Sequence, residues 1–93
     1  MKNTLPRVVI TGLGCITPIG NDINAYWDAL TKGTSGAGLI TRFDASQHKT
    51  KFACEVKGYN PVDFFDRKEA RKLDLYTQFG LVAAQQAMED SGL

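Results

Sequence analysis

The residue pattern predicts an α/β fold, and three observations point that way. Val8-Val9-Ile10 is a continuous β-branched run, followed by Leu13 and Ile16, which suits a strand buried on both faces. Ile23, Tyr26, Trp27 and Leu30 recur at i, i+3, i+4 and i+7 and make one apolar helix face. A longer helix is predicted from Asp74 to about Ser91, with Gly92 to stop it. The order strand, helix, short strand, helix is that of a layered α/β protein.

The first strand runs into a turn with glycines at 12, 14 and 20. Gly12-x-Gly14 after a strand resembles the opening of a dinucleotide-binding loop, but the surrounding residues argue against one. The third glycine position holds Thr17, and Pro18 disfavours a helical conformation there. A helix is therefore not expected to open inside the motif and turn its N–H groups toward a pyrophosphate. The carboxylate expected about 20 residues further on is missing, because Thr31-Lys32-Gly33 stand there. The glycines read as a tight strand-to-helix turn, and no cofactor is expected.

Asn21 or Asp22 is a suitable N-cap for the first helix, and Gly33 a suitable residue to end it. Residues 34–51 show no period and read as an irregular surface loop, anchored by Leu39, Ile40 and Phe43. Phe52 to Val56 reads as a short strand. Asn60 followed by Pro61 signals a helical turn through Phe65. Two helix starts follow: Asp66 with Glu69 in a capping-box pattern, and Asp74 after a brief break. In the final helix Tyr76, Phe79, Gly80, Ala83 and Ala87 share a face. The small residues Gly80, Ala83, Ala84 and Ala87 would let another backbone approach closely.

The 93 residues are 43% hydrophobic and 23% charged, which is globular rather than disordered composition. A net charge of +1 gives no global attraction to nucleic acid or membrane. No apolar run approaches a membrane span, and the N-terminal apolar run is too short for a secretion signal, so a cytoplasmic location is the default. Cys15 and Cys54 lack metal-site spacing, and one histidine, His48, adds little to them. All three read as structural or solvated residues. The chain shows no internal domain boundary. It breaks off where a helix stops and a strand should follow, as expected of the first part of a larger fold.

One stretch stands out electrically. Arg67, Lys68, Arg71 and Lys72 surround a single anion, Glu69, in a near-neutral chain. On a helix, 67 lies beside 71 and 68 beside 72, which gathers the positive charge onto one face. From the residues alone, two readings stay open: a solvated helix face, or a docking surface for an acidic partner.

Five stretches occur in one order: RVVITGLGCITPIGN, TKGTSGAGLITRFDAS, FACEV, RKEARKLD and AAQQAMEDSGL. Together they resemble the N-terminus of the β-ketoacyl-acyl carrier protein synthases, on the type II side of fatty-acid synthesis. The resemblance covers essentially all 93 residues. It implies the N-terminal part of a thiolase-like αβαβα fold, incomplete in this chain, with residues 1–93 as a partial domain. It implies elongation of fatty acyl chains by decarboxylating condensation of acyl and malonyl carrier-protein thioesters, in a homodimer. The family's catalytic cysteine and two histidines would lie beyond Leu93, so this segment alone is expected to be inactive. Arg67, Lys68, Arg71 and Lys72 match basic positions that dock acyl carrier protein in such synthases. Two other readings remain: a chain-length-factor-like partner subunit without the nucleophile, and a small stand-alone module that binds an acidic protein.

Overall fold

The computed structural model describes residues 4–93. Helix α1 spans Ile23–Thr31, strand β1 Ala37–Leu39, strand β2 Phe52–Cys54, helix α2 Arg67–Lys72 and helix α3 Leu75–Ser91, with a 3₁₀ turn at Pro61–Asp63 before α2.

The helix ends follow the local chemistry. Asp22 caps α1 by accepting from the Ala25 N–H at 2.7 Å. Asn60 caps the 3₁₀ turn, with Pro61 inside its start. Asp66 caps α2 by accepting from the Glu69 N–H at 2.7 Å, so the Asp side of the capping box forms. Both expected starts exist, because Leu73 adopts an extended backbone that separates α2 from α3. Gly92 closes α3 with φ of 77°, a left-handed conformation that glycine adopts without a side-chain clash.

Two strand expectations change. The run Val8-Val9-Ile10 forms no ladder among the described residues, and Val8 is 89% exposed. A strand needs a neighbour to satisfy its backbone groups, and this run finds none within residues 4–93. The stretch expected to be wholly irregular instead begins with β1. It pairs antiparallel with β2 in the register Ala37↔Cys54, Gly38↔Ala53, Leu39↔Phe52. The connection between them folds back through a tie to Glu55. Its carboxylate accepts from the Thr41 hydroxyl at 2.8 Å and from the Thr41 and Arg42 amides at 3.2 to 3.3 Å. Phe43 packs edge-on to His48.

The packed stripe of α3 is rotated from the expected one. Gln78 and Val82 are its buried residues, while Tyr76 and Gly80 are exposed. Ala83 and Ala87 do receive a close backbone neighbour, the glycine turn. A Cβ built on Gly12 or Gly14 would overlap the carbonyl oxygens of Ala87 and Ala83, respectively. A Cβ built on Gly80 would meet no described atom within 4 Å beyond its own helix backbone and chain neighbours.

The whole is an open layered piece. Its accessible surface is 7663 Å², against about 5,300 Å² for a closed globular protein of this mass. Its radius of gyration is 17.7 Å, against about 12 Å for a compact domain of this length.

Candidate functional site

The glycine turn is built for packing. Thr17 and Gly20 pair through two backbone hydrogen bonds, of 2.9 and 3.3 Å. The Thr17 hydroxyl donates to the Gly20 carbonyl at 2.8 Å and accepts from the Ile19 N–H at 3.2 Å. α1 opens only at Ile23, outside the turn, as Pro18 requires. The turn's own N–H groups point at α3: Leu13 donates to Asp90 and Cys15 to Gln86, each at 3.0 Å. In a dinucleotide loop such donors face a pyrophosphate. Here they are taken, and one partner is a carboxylate that would repel phosphate.

The same contacts bear on Cys15. Its thiol is pushed above the usual range, first by burial and then by the negative charge of Asp22. A nucleophilic cysteine needs the opposite shift, toward thiolate at neutral pH. Cys54 is exposed at the end of β2, and His48 is exposed in the loop. The structure does not bring these three residues together into a reactive cluster.

Arg67, Lys68, Arg71 and Lys72 all lie on α2, and all four are exposed. Among the described residues the salt bridge within 4 Å is Lys32–Asp28 on α1, so these four cations are not neutralised by neighbouring carboxylates. Arg71 and Lys72 occupy the last turn of α2, where cations complement the helix dipole. The helix therefore presents its charge outward.

One residue behind this face is not evident from the helical pattern. Gln78 sits in the first turns of α3 and is 2% exposed. Its amide nitrogen donates to the carbonyls of Ala70 and Leu73, both at 3.0 Å. Its amide oxygen accepts from the Tyr59 hydroxyl at 2.7 Å. The Ala70 carbonyl belongs to the last turn of α2 and has no partner within that helix. The Tyr59 ring stacks on Phe64 at 5.6 Å and meets Phe79 edge-on at 4.9 Å. The available signal was a glutamine four residues after Asp74, next to Phe79 at the start of the long helix.

Over 91% of its length the chain matches a solved structure titled the ishigamide ketosynthase/chain length factor, with a TM-score of 0.75 and 34% sequence identity, and covers 21% of that chain. The profile of the beta-ketoacyl synthase N-terminal domain matches residues 5–93, and the chain belongs to that family. The match to a solved ketosynthase structure, together with the family match, makes this chain the N-terminal part of a thiolase-like fold. It is 51% identical over 87 residues to the 3-oxoacyl-[acyl-carrier-protein] synthase 2 of Synechocystis sp. and to that of Coxiella burnetii. It is 45% identical to the synthase of the same name from Staphylococcus aureus. Each alignment covers 94% of this chain and 21% of the relative, so the chain spans about a fifth of the length of the curated relatives it matches.

Proposed function

We propose that residues 1–93 serve as one N-terminal piece, without internal boundary, of a type II 3-oxoacyl-acyl carrier protein synthase that elongates fatty acyl chains. The observation that carries this reading is 45 to 51% identity, across 94% of the chain, to proteins of that name. The looser likeness, at 34% identity, is to a structure whose title joins a ketosynthase to a chain length factor, so a non-catalytic partner role is the weaker reading. In the reaction, an enzyme thiolate takes the acyl group from its carrier thioester and releases the carrier thiol. Malonyl carrier protein then loses carbon dioxide. The resulting carbanion attacks the acyl-enzyme thioester and expels the thiolate. Homodimeric assembly and a cytoplasmic setting accompany this reading.

Within that reaction, residues 67–72 receive acyl carrier protein. Four exposed cations and one anion give a local charge of +3, suited to an acidic partner. Exposed charges of this kind act mainly on encounter and orientation, so their effect falls as salt rises. The test uses a complete synthase carrying this segment, with the Lys68→Glu and Arg71→Glu reversals combined. The KM for carrier-bound substrate is expected to rise roughly tenfold at low salt, and less at high salt. An unchanged KM at low salt would refute docking at α2. The isolated 93 residues are expected to show no condensation activity, and measurable turnover from them would overturn the wider assignment.

A further inference from the structure

We propose that Gln78 and Tyr59 are positioning residues for carrier-protein recognition: they hold the basic helix α2 in its docking orientation without touching the partner. This inference rests on the docking reading above and goes one residue layer deeper.

α2 has only six residues, too few to be stable as an isolated helix. Its N-terminal end is fixed by Asp66. Its C-terminal end is fixed by Gln78, which holds the carbonyls of Ala70 and Leu73 from the next helix. Two carbonyls gripped by one amide define both where α2 ends and the angle at which α3 leaves it. Tyr59 sets the rotation of that amide. Its hydroxyl donates to the amide oxygen, which turns the NH₂ group toward the two carbonyls. The tyrosine is fixed in turn between Phe64 and Phe79. Gln78 is almost fully enclosed, and both ends of its amide are engaged, so the joint has little freedom. The four cations sit directly on the element thus held.

The consequence is a population effect. If α2 occupies its docking orientation a tenth of the time, apparent affinity for the carrier falls tenfold, although every cation is still present. Gln78→Met keeps the side-chain length but leaves both carbonyls without their donor. Tyr59→Phe keeps both ring contacts and removes only the bond that orients the amide.

The experiment uses a complete synthase carrying this segment and compares a carrier-bound acyl substrate with the same acyl group on pantetheine alone. Gln78→Met is expected to raise the KM for the carrier-bound substrate about tenfold, and Tyr59→Phe about threefold, since one bond is lost instead of three. Turnover of the pantetheine substrate stays at the wild-type value, because it needs no docking helix. The Lys68→Glu, Arg71→Glu variant is measured alongside. If that variant weakens carrier use while Gln78→Met and Tyr59→Phe do not, the positioning role is wrong and docking stands. If all three leave carrier use unchanged, docking itself fails and the positioning role fails with it. If the Gln78 and Tyr59 variants slow both substrates equally, the joint serves general stability and the inference is overturned. Should Gln78→Met not fold, Tyr59→Phe alone decides by the same comparison.

Discussion

Replacing Gly14 with alanine puts a methyl group where α3 already stands. The new carbon would overlap the Ala83 carbonyl oxygen and lie 2.7 Å from the Gln86 Cβ and 2.9 Å from the Ala87 nitrogen. Two of the three obstacles are helix backbone, which cannot swing aside as a side-chain tip can. The turn must lift away from α3, and the lift stretches the bonds from Cys15 to Gln86 and from Leu13 to Asp90. Overpacking of this kind costs about 1–3 kcal/mol. The two strained hydrogen bonds add about 1 kcal/mol each at most for their partial exposure, for a total of about 1–5 kcal/mol. The assay is urea unfolding of a complete synthase carrying the substitution, read as a change in midpoint at constant slope. A loss below about 0.5 kcal/mol, the range of neutral surface changes, would refute the packing role of the glycine turn. Gly80→Ala is the companion measurement. Beyond its own helix backbone and chain neighbours, the added Cβ meets no described atom within 4 Å, so a loss there would report a neighbour from outside residues 4–93.

Two further outcomes test the segments around the basic helix and the loop. Asp66→Ala removes the cap of α2 and costs about 1 kcal/mol locally, so protection of the Glu69 amide against hydrogen exchange is expected to fall about fivefold. Asp66→Asn, which keeps the acceptor, is expected to restore it, and unchanged protection in the alanine variant would count against the cap. The Glu55 carboxyl is held below its ordinary 4.5, first by the Thr41 hydroxyl and with help from the Thr41 and Arg42 amides and the Arg42 charge. A lowered carboxyl contributes its stabilisation above the unfolded value and loses it as pH falls through the folded one. The tie between the 40s loop and β2 is therefore expected to hold at neutral pH and to release below pH 4.5. A carboxyl titration of Glu55 by NMR with its midpoint at or above 4.5 would contradict this.

The parts of the fold that were legible are those governed by local chemistry. Asp22, Asn60, Asp66 and Gly92 each announce a helix end, because capping depends on a side chain and its nearest backbone neighbours. Pro18 correctly keeps the first helix out of the glycine motif. The illegible parts depend on partners distant in sequence. β1 was hidden because Ala37-Gly38-Leu39 is neither alternating nor β-branched, and it becomes a strand only by pairing with Phe52–Cys54. The Val8–Ile10 run has strand character but no neighbour among the described residues. The burial of Gln78 on α3 could be placed only by knowing where Tyr59 and the end of α2 land. In the candidate site, Arg67, Lys68, Arg71 and Lys72 were visible as a charge cluster. Gln78 was not, because an isolated glutamine in a helix gives no periodic signal. Its importance lies in which carbonyls its amide reaches.

Gln86 shows how little freedom a single position can retain. Its amide oxygen accepts from the Cys15 N–H, while its amide nitrogen donates to the Asn21 carbonyl at 2.8 Å. One side chain thus joins the glycine turn and the lead-in to α1 to the same point on α3, in opposite senses of hydrogen bonding. Glutamate would supply the acceptor but no donor, lysine the donor but no acceptor, and asparagine is one methylene short of both. Chemical vocabulary, more than volume or hydrophobicity, restricts this site: a substitution is judged by whether it can speak to a donor and an acceptor at once. The position therefore tolerates change least where a hydropathy profile would call the residue interchangeable.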